Sequence, residues 1–174
     1  IMRKFILIII LIYIGVFGVL WLGRFTAIYP FDPTYVTTAD AGIPQMRAQK
    51  IRSFDDTQLV VWTKQPRGRQ PTIVYFHGNA GNLASRAQRF DRMIKRGYGI
   101  IAMAYRGSSG SDGAPSQQLI MKDSQFLIEN INLLGFRKNQ KLIFYGESLG
   151  TGVATQLAVT NPPNALILEA PFTS

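Results

Sequence analysis

Residues 141–154 read KLIFYGESLGTGVA, and the way this stretch is divided decides the fold. Lys141 to Tyr145 is a short apolar run, the mark of a strand, and Gly146 and Gly150 bracket Ser148 just beyond it. A strand that turns sharply into a helix leaves no room for side chains two positions either side of its apex, so glycine is required there. Alone, G-x-S-x-G is weak, arising by chance in roughly 5% of chains this long. Its place at a strand-to-helix junction gives it weight, and it favours an exposed serine hydroxyl over a serine that merely caps the helix.

Three further apolar runs, Thr72–Phe76, Tyr98–Ala104 and Ala165–Leu168, alternate with helix-periodic segments such as Ile120, Ser124, Leu127, Ile131 and Leu134. Unbroken apolar strands separated by helices predict an α/β fold, a mostly parallel sheet with helices on both faces. Arg47–Phe54 and Leu59–Lys64 flank Asp55-Asp56-Thr57 and predict a hairpin ahead of it. Reactive groups in such sheets gather where the strands end. The loops there are HGNAGN (77–82), YRGSSG (105–110), GESLG (146–150) and EAPFTS (169–174).

Residues 5–23 carry no charge over nineteen positions, which as a helix would rise about 28 Å, close to a bilayer's hydrocarbon thickness. The length, and the lack of a small-x-small cleavage site, predict an uncleaved transmembrane anchor rather than a signal peptide. The expected organisation is an anchor over 1–24, a tether over 25–46 and the α/β core over 47–174. Arg3, Lys4 and the terminal amine outnumber Arg24 across the helix, which predicts a cytoplasmic N-terminus and a core outside the cytoplasm.

The 174 residues carry a net charge of +9, of which +8 lies after residue 46. The basic residues are dispersed, without the motif or aromatic interleaving of a nucleic-acid surface, so no nucleic acid is expected as a partner. Arg86, Arg89, Arg92 and Arg96 share one helical face opposite Leu83, Ala87, Phe90 and Ile94. That face is read as solvated, contact with lipid headgroups being the alternative. Without cysteine, and with one histidine, neither disulfides nor a conventional metal site is expected. No phosphate-binding glycine motif is present, and no cofactor is expected.

HGNAGN, YRGSSGSDGAPS, YGESLGTGVA and EAPFTS, in that order and spacing, resemble the membrane-anchored branch of the α/β-hydrolase superfamily related to serine-aminopeptidase-like hydrolases. The resemblance covers about residues 47–174. It implies that Ser148 is the nucleophile, that the amides of Asn79 and Leu149 form the oxyanion hole, and that His77, Gly78, Gly146 and Gly150 shape the supporting loops. It further implies cleavage of an ester, thioester or related acyl substrate, with a lipid bilayer engaged through residues 5–23. Family members commonly read D-Y-R-G-Y-G where this chain has Ala104-Tyr105-Arg106-Gly107-Ser108-Ser109. A serine hydroxyl needs a base, and His77 precedes the serine, whereas the fold places its triad histidine after the last strand. His77 is therefore read as structural, and Glu147 and Glu169 as hydrogen-bond partners. The chain stops after the sixth expected strand, and Ile1 precedes Met2. The expectation is a fragment whose acid and base lie beyond Ser174 and which is inactive as it stands. The alternative is a non-catalytic hydrolase-like binding or scaffold protein at the membrane.

Overall fold

The computed structural model describes residues 2–172; the side chains at positions 2, 5, 22 and 24–27 are outside that description, as are Thr173 and Ser174 of the EAPFTS segment. The central strands form where the sequence is continuously apolar. Every residue of β3 (Thr72–Phe76) and β4 (Gly99–Met103) is buried, as strands covered on both faces require. The hairpin is β1 (Arg47–Arg52) and β2 (Gln58–Lys64), and the later strands are β5 (Leu142–Glu147) and β6 (Ala165–Glu169). The helices are α1 (Met2–Ile28), α2 (Ala87–Lys95), α3 (Gln117–Glu129) and α4 (Leu149–Thr160).

The strands lie in the order β1-β2-β4-β3-β5-β6. β2 runs antiparallel to β1 and β4, while β3 is parallel to both β4 and β5, and β5 to β6. This is the α/β architecture expected from the alternation of elements. Period-two geometry sorts the core into two layers. Val74, Phe76, Ile101 and Phe144 face Ile120 and Leu127 of α3 and Val153 and Leu157 of α4. Ile73, Tyr75, Ile100 and Ala102 face Phe90 and Ile94 of α2. β6 ends the sheet with Leu166, Ile167 and Leu168 still 40%, 41% and 39% exposed.

The N-terminal expectations fare differently. Among the described residues no helix is long and apolar enough to cross a membrane, so the span expected over 5–23 is not shown. Those residues do lie in α1 (Met2–Ile28), whose side chains are described without a break over the run 6–21. Within that run the large apolar side chains from Ile6 to Trp21 are exposed. The segment read as a tether does not hang free. From Tyr29 onward it lies along the domain, with Ile43 and Met46 buried beside Val60 and Trp62 and Phe31 against the rings of His77 and Tyr105. Apolar side chains spaced through a polar stretch give it that affinity for the core.

Candidate active site

Ser148 stands between the end of β5 and the start of α4 with φ 49° and ψ −113°. For a residue bearing a Cβ this is sparsely populated backbone, costing of order 1–3 kcal/mol and held only by its surroundings. Those surroundings are explicit. The Ser148 N–H donates to the Glu169 carbonyl at the end of β6 at 2.9 Å. Its carbonyl accepts from the Thr151 N–H at 2.8 Å and the Thr151 hydroxyl at 2.6 Å. Its own side chain makes no capping hydrogen bond to the helix, which removes the reading of Ser148 as a helix cap. The residue as a whole is half-buried.

The flanking glycines are sterically required. A Cβ on Gly146 would stand 2.5 Å from the Gly150 carbonyl oxygen, and one on Gly150 1.9 Å from that of Phe76. The first turn of α4 thus presses directly on the end of β3, bringing Leu149 alongside the loop that follows Phe76. Strand pairing agrees, since Phe76 is opposite Gly146. A Cβ on Gly78 would lie 3.5 Å from the Glu147 carbonyl oxygen. The His77–Asn82 loop and the serine turn are therefore neighbours. Among the described residues, no acceptor meets the backbone N–H of Asn79 or Leu149. Unpaired amides beside a helix N-terminus form a ready receptor for negative charge.

His77 is fully buried, and both of its ring nitrogens are occupied. Nδ1 lies 2.7 Å from the Gly78 carbonyl oxygen and can only donate to it, which leaves Nε2 to accept from the Tyr105 N–H at 3.2 Å. The ring is thus a neutral, structural imidazole with no free lone pair for a serine proton. Burial pushes its pKa down to about 3. Unfolded histidine titrates near 6.5, so between about 6.5 and 3 the unfolded chain binds the extra proton. Stability should be complete above about pH 6.5 and fall by up to about 1.4 kcal/mol per pH unit below it. Denaturant unfolding at pH 7.5, 6 and 5 checks this, and His77→Asn should flatten the dependence; an equal slope in both proteins would contradict it.

Sequence reasoning missed an ionic scaffold around the turn. The arginine face of α2 is not uniformly solvated. Arg86, just ahead of the helix, is buried and donates to Glu147 from Nε at 3.0 Å, while its Nη1 holds the carbonyl oxygens of Ala80 and Asn82 at 2.7 and 3.0 Å. Arg89 pairs with Glu169, which also accepts from the Tyr145 hydroxyl. Burial acts to raise the pKa of Glu147, but hydrogen bonds from Tyr75 and Arg86 outweigh it and leave the carboxyl below its ordinary range. Arg89 does the same for Glu169, helped by Tyr145. Both are thus fixed anions, not proton donors. The readable signal was that the two acidic strand ends would pair opposite each other, as Glu147 and Glu169 do, and would call for cations.

The YRGSSG loop is tied down as firmly. Arg106 is buried and bridges Asp123, through Nε at 2.7 Å, and Asp55, through Nη1 at 2.9 Å. Ser111 accepts from the Val60 N–H and donates to the Ala104 carbonyl, and Ser109 accepts from the Leu83 N–H. Of the serines that depart from the family pattern, Ser108 and Ser109 meet each other through their hydroxyls at 3.1 Å, and Ser109 is tied outward to Leu83.

A family model described as serine aminopeptidase, S33, matches residues 67–174. An uncharacterized protein of Mycobacterium tuberculosis is 31% identical over 169 residues, covering 96% of this chain and 60% of that protein. The alpha/beta hydrolase domain-containing protein WAV2 of Arabidopsis thaliana is 36% identical across 71% of the chain and 42% of its own length. The lysophosphatidylserine lipase ABHD12 of Danio rerio is 39% identical across 65% of the chain and 31% of its own length. The chain therefore spans 60% or less of these relatives. Among solved structures, an esterase of Pyrococcus furiosus superposes with a TM-score of 0.66 at 18% identity, over 82% of this chain and 54% of that one. At that identity the likeness speaks to the fold.

Proposed function

Since the chain belongs to the serine aminopeptidase, S33, family of α/β hydrolases, we propose that it carries the nucleophile of a membrane-anchored serine hydrolase acting on an ester, thioester or related acyl bond. The observation that carries this reading is the strained Ser148, uncapped and held at φ 49° between two glycines that admit no side chain. In this reading a general base takes the Ser148 hydroxyl proton, later passed to the leaving group, as Oγ bonds to the substrate's carbonyl carbon. The C=O π pair moves onto oxygen, and the amides of Asn79 and Leu149 receive that charge. Collapse of the tetrahedral centre expels the leaving group, and water then cleaves the acyl-serine. His77 is excluded as the base by its two engaged nitrogens. The acid and base are proposed to lie in sequence beyond Ser174, as the greater length of the relatives allows. The zebrafish relative's name, lysophosphatidylserine lipase, favours a lipid acyl ester among the substrates.

The exposed apolar side chains of α1 support bilayer attachment through residues 5–23, with the N-terminus cytoplasmic and the catalytic domain on the other side. A fluorophosphonate probe should label the full-length protein in washed membranes and leave Ser148→Ala unlabelled; equal labelling of both removes Ser148 from the chemistry. Recovery of the labelled protein in the soluble fraction would refute the attachment.

A further inference from the structure

The stretch linking α1 to the domain contacts the active-site loops through its backbone as well as its side chains. Phe31 forms a parallel bridge with Gly81, and the Asp32 N–H donates to the Gly81 carbonyl at 3.1 Å. On its other side, the Ser109 N–H donates to the Asp32 carbonyl and the Gly110 N–H to that of Pro33, each at 2.9 Å. The Asp32 carboxylate accepts from the Asn82 side-chain amide at 2.6 Å. The Asn79 side-chain amide donates to the carbonyl of Ile28, the last residue of α1, at 3.2 Å. The segment thus lies as an added rung between the 77–82 and 105–110 loops.

The loop it grips has little structure of its own. Its carbonyls are held from outside, those of Ala80 and Asn82 by Arg86 and that of Gly81 by Asp32. Gly81 has φ +72°, a conformation that glycine permits but does not enforce. Without the Gly81 contacts the loop loses its bridge to Phe31 and its tie to Asp32, and the Asn79 amide two residues earlier is free to drift. Oxyanion stabilisation depends on donors standing 2.7–3.1 Å from where the charge forms, so small drift is costly to the rate.

We propose that Tyr29–Pro33 is a positioning strap for the oxyanion loop: Phe31 and Asp32 fix where the Asn79 amide stands relative to Ser148, and they do so from the end of α1. This rests on the reading of Asn79 as an oxyanion donor. Phe31 and Asp32 touch no reacting atom and act through the loop. A merely structural strap would lower thermal stability alone, whereas a positioning strap lowers turnover in protein that remains folded.

The test uses full-length protein in detergent with a p-nitrophenyl ester as probe. Phe31→Ala and Asp32→Ala should lower kcat at least tenfold with KM little changed, and Phe31→Leu, which keeps an apolar side chain against His77, should recover most of the loss. Ile51→Ala, on the edge strand β1, is the control for lost stability and should keep the parent kcat. Hydrogen exchange over residues 77–82 should quicken at least tenfold in the strap variants and not in Ile51→Ala. Should Phe31→Ala not accumulate, Asp32→Ala decides alone, since it leaves the half-buried ring in place. Parent-like kcat, or parent-like exchange in that loop, overturns the strap. A parent protein with no Ser148-dependent turnover overturns the hydrolase reading instead, and the exchange measurement still decides the strap.

Discussion

Gly150→Ala is expected to abolish folded protein, or to cost more than about 4 kcal/mol in whatever accumulates. The added methyl carbon would stand 1.9 Å from the Phe76 carbonyl oxygen, 2.5 Å from its carbon and 3.0 Å from the His77 carbonyl oxygen. All three are backbone atoms of a buried strand end, so no side chain can swing aside. Relief requires α4 to move off β3 by more than 1 Å, and close-packed interiors resist such movement. That same movement would carry Ser148 and Leu149 away from Asn79. Gly152→Ala is the internal comparison. Among the described residues its Cβ meets only the Phe172 ring, at 3.4 Å, and replacing a helical glycine by alanine should stabilise by roughly 0.5–1 kcal/mol. Thermal unfolding of the two variants should diverge in sign. Equal midpoints would mean that α4 and β3 do not cross as closely as described.

The second large effect concerns a buried ion pair. Asp123 is fully buried on α3 and accepts from Arg106 Nε at 2.7 Å, Arg106 Nη2 at 2.8 Å and the Ser53 hydroxyl at 2.5 Å. Arg106→Met would leave that carboxylate with the serine alone. Breaking a buried pair from one side costs about 3–5 kcal/mol because the remaining ion is uncompensated, which for a domain of this size lowers the melting temperature by about 10 °C or more. Removing both charges avoids the orphan. Arg106→Met with Asp123→Leu should therefore be more stable than Arg106→Met alone, and a double variant no better than the single would show that the pair does not act as a unit.

These particulars show which parts of the molecule were legible in the sequence. The strands were, because TIVYF at Thr72–Phe76 and its counterparts are too apolar to lie anywhere but between two helical layers. The serine turn was also legible, since two glycines at fixed spacing after a strand report a steric constraint, and the constraint is visible at both positions. The placing of β4 between β2 and β3 was not, because periodicity records which face of a strand is buried and not which strand lies beside it. Arg86 and Arg89 were misread for a related reason, while Arg92 and Arg96 are exposed as read. A polar face looks alike whether it meets water or two carboxylates, and Arg86 meets Glu147. In the supposed tether, two aromatic rings on either side of Pro30, Tyr29 and Phe31, were the available signal. They pack against each other at 5.6 Å between centroids, and the surrounding polarity concealed them.

Ser148 sits in a backbone conformation that glycine would occupy with far less strain, so selection for thermal endurance alone would be expected to erase its side chain. On the proposed nucleophilic role of Ser148, a hydroxyl held at φ 49° would make this turn a place where heat resistance is surrendered in favour of reactivity. Stabilising substitutions sought in this chain are therefore best confined to positions away from the 146–150 bend, where tolerance to heat can rise without disarming the protein.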